Sequence, residues 1–323
     1  MNVHIAGFGI GLPAHRMTNE ELSQKVDTTD EWIVSHTGIR ARHVVGPHES
    51  TATLAISAAR NALEKSGVKP EDIGLVVVAT STPDYHVFPS CACLVQSAIG
   101  AVNAAAFDVL AACTGFVYAM DVARSMMARD GRPAVVIGAD VMTRTVDWSD
   151  RNTCVLFGDG AGAVVLKAEE RAGGLGECIL RADGSGANVL FAEGGYRLPR
   201  EKTHSNTFLQ MNGRKVFAFA TTTIEEVIRQ LVVKQGIGLH DIRWVVPHQA
   251  NIRIIESAAK RLGIPMDRFY INIADVANTS AATIPLALGQ MANENRFQAG
   301  DYIVIVGFGA GLTWGAMLIQ WQP

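Results

Sequence analysis

The chain says the same thing twice. The segment STATLAISAARNALEKSGVKPEDIGLVVVAT reads as an apolar-faced helix, a stop at Gly67, a Pro/Asp connector and a buried strand from Leu75 to Val78. KVFAFATTTIEEVIRQLVVKQGIGLHDIRWVVPH repeats this order, with Gly236, Asp241 and a strand from Trp244 to Val246 in the matching places. Gly67 and Gly236, and likewise Asp72 and Asp241, are 169 residues apart. A second pair of units agrees: CTGFVYAMDVARSMMARDGRPAVVIGAD and NTSAATIPLALGQMANENRFQAGDYIVIVGFG each run from a small polar turn through a helix and a Gly-containing loop into an apolar strand. Cys113 and Asn278 open the two units. Such duplication restricts the fold to two similar α/β halves packed on one another.

Strands that are apolar throughout and alternate with helices predict parallel pairing with both faces covered. The halves are expected at 1–170 and 171–323, with the boundary in the Gly-rich, charged stretch from Lys167 to Asp183. Each half is expected to close on a Gly-rich turn feeding a strand, GDGAGAVVL and GFGAGLTWGAMLI. Tyr302 to Pro323 is uncharged and long enough to cross a bilayer, but its glycines divide it into YIVIV and AMLIQW, two buried strands around a turn.

At 323 residues and 48% hydrophobic, the chain can build a core without staples. A formal charge of −3 gives no field for nucleic acid, and five cysteines without disulfide or zinc spacing fit a reducing, cytoplasmic compartment. No metal site is expected. GFGIGLP and GFGAGL lack the helix and acidic partner of a dinucleotide fingerprint, which argues against a nicotinamide cofactor.

Ligands of open α/β sheets gather where strands turn into helices, and Cys113, His248 and Asn278 all stand at such points. Cys113 precedes a helix, where the macrodipole favours a thiolate and can bring a cysteine well below its free value of about 8.5. His248 follows the strand WVVP, and Asn278 opens another helix. A cysteine to accept an acyl group, with a neutral His and an Asn as hydrogen-bond donors to a second thioester carbonyl, suits a decarboxylating condensation through an enolate. A further oxyanion hole is expected from the Cys113 N–H and an N–H within Gly307 to Leu312.

In seven blocks the sequence resembles β-ketoacyl-[acyl-carrier-protein] synthase III, the initiating condensing enzyme of type II fatty acid synthesis. The blocks are DEWIVSHTGIRARH, HVFPS, AACTGF, DRNTCVLFGDGAGAVVL, HQAN, NTSAATIPLAL and GFGAGLTWG. The resemblance implies a thiolase fold, an αβαβα sandwich of five layers with mixed sheets, and a homodimer. It implies Cys113, His248 and Asn278 as the catalytic triad, an acyl-CoA primer, a malonyl-acyl carrier protein extender and no tightly bound cofactor. Trp32 and Arg151 would sandwich the coenzyme A adenine beside Thr28, with Gly213, Ala250 and Asn251 along the pantetheine tunnel. Phe88, reaching across the dimer interface, and Leu312 would shape the acyl pocket. Arg253, Lys260 and Arg261, with Arg214 and Lys215 nearby, would receive the acidic carrier protein.

One departure is His36, where many members carry Arg. It removes a permanent charge, so weaker coenzyme A binding or a different primer donor is expected. A same-fold acyltransferase or a secondary-metabolism ketosynthase is the alternative reading, and a non-catalytic partner subunit a third.

Overall fold

The computed structural model describes residues 1–193 and 207–323. Its first half is a five-stranded sheet built from β1 (Asn2–Gly11), β2 (Leu75–Ala79), β3 (Ala105–Val109), β4 (Ala134–Val141) and β5 (Asp159–Glu169), in the order β1-β5-β4-β2-β3. Helices α1 (Asp30–Thr37), α2 (Thr51–Ser66), α3 (Cys91–Ala98) and α4 (Gly115–Met127) accompany it. The second half pairs β6 (Gly174–Ala182), β7 (Ile242–Pro247), β8 (Tyr302–Gly309) and β9 (Thr313–Gln320) in the order β7-β8-β9-β6, with α5 (Gly213–Gln235), α6 (Ile252–Leu262) and α7 (Thr283–Asn293).

The repeat survives in three dimensions. Both α2 and α5 end on a left-handed glycine, Gly67 at φ 64 and Gly236 at φ 76, and each is followed by a single 3-10 turn into its strand. The strands are apolar throughout because successive side chains face opposite ways and both faces are covered. Val77 and Val136 point inward with Phe116 and Met120 of α4 and Ile284 and Leu288 of α7. Their neighbours Val76, Val78 and Val135 point outward onto α2 and α3, while Val245, Val304 and Leu318 of the second sheet meet α5 and α6. The layers are thus α2/α3, sheet, α4/α7, sheet, α5/α6. The central cluster draws on both halves, so they share one core, and the link between β5 and β6 spans residues 170–173.

Parallel pairing holds only for β2 with β3 and β4, and for β7 with β8. β1, β5, β9 and β6 join antiparallel, because apolarity on both faces records coverage and not direction. The GDGAG segment is also not a turn: from Asp159 on it is β5 itself. The C-terminal strands are β8 and β9, and among the described residues no helix is long and apolar enough to cross a membrane.

Candidate active site

A cavity of about 230 Å³ lies between the halves, and Cys113, His248 and Asn278 all line it. Each comes from a turn held by unusual backbone. Ala112, just before the cysteine, has φ 45, and Ala277 and Ser280, on either side of the asparagine, have φ 57 and 52. Non-glycine residues in this region cost on the order of 1–3 kcal/mol and persist only where surroundings over-determine them. Those surroundings are visible at Asn278: its N–H donates to Leu156 O at 3.0 Å and its carbonyl accepts the Gly158 N–H at 3.0 Å. Gly138 and Gly162, cross-strand partners on β4 and β5, let the turn press onto the sheet, since a Cβ would fall 2.2 Å from Ala281 O at the first and 2.4 Å from Pro285 C at the second.

Cys113 sits in a 3-10 turn, Ala112–Thr114, that leads directly into α4. The expected place is therefore correct, but the expected thiolate is not. Burial pushes the thiol up to about 12, with the Asp140 charge adding to it, and the Ser280 hydroxyl and the cysteine's own backbone N–H oppose the rise without cancelling it. Desolvation at a closed site outweighs the helix end. Sγ lies 3.4 Å from Ser280 Oγ. On the other side Gly309 comes so close that a Cβ there would be 3.0 Å from both Cys113 N and Cβ, so a side chain at this point of β8 would crowd the nucleophile's backbone.

His248 follows β7 and is tied to β8 by its N–H to Val306 O at 2.7 Å. Its ring meets Phe308 edge-on at 5.0 Å, and burial lowers its pKa to about 3, so it is neutral as expected. Nδ1 is 2.7 Å from Thr283 Oγ1, which in turn donates to Ser280 O at 2.9 Å. With the hydroxyl so directed, Nδ1 carries the proton and Nε2 presents a lone pair. The donor role expected of His248 needs the Thr283 hydroxyl turned toward Nδ1. Asn278 needs no such change: its Oδ1 accepts the Ser280 N–H at 2.9 Å, which leaves the amide NH2 for the cavity.

Gly213, Ala250 and Asn251 line the same cavity. Asn251 also caps α6 and donates to His36 O at 2.9 Å, while Arg253 donates to Ser35 O at 2.7 Å, so α6 holds the C-terminal end of α1. Lys260 and Arg261 lie at the far end of α6, and Arg261 pairs with Glu225 at 3.5 Å. Arg214 and Lys215 are exposed beside Gly213.

Trp32 and Arg151 are together, but Arg151 Cζ is 5.2 Å from the Trp32 ring, and His36 stacks on Trp32 at 4.4 Å. An aromatic ring inserted between the first two needs two spacings of about 3.5 Å, so they must part to admit it. The Thr28 hydroxyl is buried nearby in sequence and has no hydrogen-bond partner among the described residues. Phe88 is 79% exposed and outside the cavity lining. Leu312 also lies outside that lining, its backbone pairing with Asp183 and its side chain against Gly186. Ser280, Thr283 and Asp140 were not singled out by sequence reasoning, although two of them lie within NTSAAT. A polar residue two or five positions after Asn278 is a faint signal for contact with all three functional groups.

Comparison with known proteins agrees across the chain. Residues 107–184 match the family described as 3-Oxoacyl-[acyl-carrier-protein (ACP)] synthase III, and residues 232–321 match its C-terminal counterpart. Beta-ketoacyl-[acyl-carrier-protein] synthase III of Clostridium acetobutylicum is 46% identical over 99% of both chains. The protein of that name from Sphingopyxis alaskensis is 47% identical over 98% of both. The crystal structure of 3-oxoacyl-[acyl-carrier-protein] synthase III from Aquifex aeolicus VF5 superposes with a TM-score of 0.93 at 40% identity, covering 99% of this chain and 100% of that one.

Proposed function

This chain belongs to the 3-oxoacyl-[acyl-carrier-protein] synthase III family, a condensing acyltransferase of the thiolase fold, and from that membership and the cavity we propose how its own residues perform the initiating condensation of fatty acid synthesis. Cys113 takes a short acyl group from acyl-CoA, releasing coenzyme A. A malonyl thioester on acyl carrier protein then enters, loses CO2, and its enolate carbon attacks the acyl-Cys113 carbonyl to give a 3-oxoacyl thioester. The observation that carries this reading is the convergence of Cys113, a neutral His248 and the free amide of Asn278 on one buried cavity. Asn278 Nδ2 and, once the Thr283 hydroxyl turns toward Nδ1, His248 Nε2–H would hold the enolate oxygen, each such donor contributing about 2.7–4 kcal/mol. The Cys113 N–H and an N–H near Gly309 would hold the oxyanion of acyl loading.

In this reading no cofactor is bound tightly, and acyl-CoA enters as substrate. Trp32 and Arg151 open to take its adenine, with Thr28 available as a polar partner. Arg253, beside cavity-lining Asn251 and Ile254, and exposed Arg214 and Lys215, between cavity-lining Gly213 and Val216, would meet an acidic carrier protein. A homodimer is part of the proposal: β3 is a sheet edge, and Leu110, Val102 and Phe88 around it are 79%, 73% and 79% exposed. Such a dimer would bring Phe88 to the partner's acyl pocket. Five free cysteines fit a cytoplasmic setting.

Incubating the purified protein with acetyl-CoA and malonyl-carrier protein tests this directly, with the product and the enzyme's intact mass read together. Acetoacetyl-carrier protein is the expected product. An unmodified enzyme without product would overturn the proposed primer, and an acyl adduct that never extends would overturn the condensation.

A further inference from the structure

The turn that carries Cys113 and the strand that faces it come from opposite halves of the chain, and two threonines tie them together. Thr114, the residue after the nucleophile, is fully buried, and its hydroxyl donates to Thr313 O at 3.1 Å. Thr313, the first residue of β9 and the ladder partner of Gly309, returns the contact. Its Oγ1 lies 3.1 Å from Ala111 O, 2.9 Å from Ala310 O and 3.1 Å from Thr114 Oγ1. Ala111 is two residues before Cys113, and Ala310 is one residue after Gly309. A single hydroxyl therefore stands between the chain entering the cysteine turn and the chain leaving β8. With the Thr114 hydroxyl directed to Thr313 O, the Thr313 proton is left for the two carbonyls.

Glycine sets the opposite limit. A Cβ at Gly307 would be 3.0 Å from Thr114 Cα, and one at Gly309 would be 3.0 Å from Cys113 N. Van der Waals contact thus fixes how near β8 can come to the turn, but it has no direction and resists sliding weakly. Hydrogen bonds lose strength steeply with angle, so the threonines oppose both slip and separation.

We propose that Thr313, with Thr114, sets the spacing of the oxyanion hole. This rests on the reading in which Cys113 takes the acyl group while its own N–H and an N–H near Gly309 hold the carbonyl oxygen. Once the deprotonated sulfur adds to the acyl carbon, the C=O electron pair moves onto oxygen, and it returns as the bond to the departing thiolate breaks. Both donors must then stand about 2.7–3.1 Å from that oxygen. One donor belongs to the first half and the other to the second, so a slip between the halves spoils the hole while each half stays intact. A misplacement of about 1 Å can cost about 100-fold in rate. Thr313 and Thr114 touch no reacting atom; they act through the backbone on either side and are positioning residues. The Asn278 turn is held separately, by Leu156, Gly158 and Ser280.

Acetylation of Cys113 by p-nitrophenyl acetate, read as p-nitrophenol release and as the adduct in intact mass with Cys113→Ala as the blank, tests this without coenzyme A. Thr313→Val keeps the shape and deletes the hydroxyl. It should slow acetylation by roughly 10- to 100-fold, and Thr313→Ser should recover most of the rate. Alkylation of the same sulfur by iodoacetamide forms no oxyanion and should be alike in all three proteins, a separation that general damage to the site does not give. Equal acetylation in Thr313→Val and the unaltered protein overturns the proposal, and so does a parallel loss of acetylation and alkylation. Where near-UV circular dichroism shows Thr313→Val unfolded, Thr114→Val removes the other hydroxyl and decides in its place by the same outcomes. An unaltered protein that is alkylated but never acetylated would overturn the acyl-enzyme reading itself, and the positioning role with it.

Discussion

Asn278 Oδ1 accepts the Ser280 backbone N–H at 2.9 Å, and this one bond decides which end of the amide faces the cavity. Asn278→Asp keeps that acceptor but replaces the cavity-facing NH2 with a second oxygen. Malonyl decarboxylation should fall about 10²–10³-fold, the usual loss for one oxyanion donor. Acyl loading of Cys113, read by intact mass, should continue.

The neutrality of His248 has a signature in stability. An unfolded histidine titrates near 6.5 and this one near 3 in the folded protein, so between those values the unfolded chain binds more protons. The stabilising contribution is complete above about 6.5 and drains away as pH falls toward about 3. Urea midpoints measured through this window should decline less steeply in His248→Gln than in the unaltered protein. His4, also lowered by burial, remains in both and cancels.

If Trp32 and Arg151 take the adenine, Trp32→Ala and Arg151→Ala should each raise KM for acetyl-CoA by roughly 3- to 30-fold with kcat little changed, as loss of a stacking or cation–π partner implies. Acetyl groups presented on a short thiol without the nucleotide should show no such difference. His36→Arg should lower KM for acetyl-CoA severalfold by restoring a permanent charge, and KM unchanged would remove His36 from that contact.

Leu110→Asp places a charge on the exposed end of the β3 edge. Sedimentation should show a dimer before the change and a monomer after it. A monomer in both cases would return Phe88 to the status of a surface residue.

What the residues disclosed in advance was what periodicity and local spacing record. The duplication, the helix stops at Gly67 and Gly236, the two C-terminal strands and the placement of Cys113 before α4 are all local properties, and they hold. Strand direction was misread for β1, β5, β6 and β9 because an apolar strand looks the same from either end. GDGAG looked like a turn, yet its last glycine, Gly162, serves the close approach of Pro285 and Leu286 to the sheet. The Cys113 thiol was expected to be acidic because a helix end is visible in sequence, while the depth at which it is buried is not. Ser280, Thr283 and Asp140 matter through contacts across 167, 35 and 141 residues, and no short window contains them.

Cys113 comes from the first half, and His248 and Asn278 from the second, yet the helices that Cys113 and Asn278 introduce lie side by side in one middle layer. Neither half carries the whole site. During refolding each sheet can form with its outer helices, but chemistry must wait for the last step, when the layer between them closes. Recovery of enzyme activity is thus a clock for the docking of the halves, and a chain stalled before that event would be folded by spectroscopy and silent by assay.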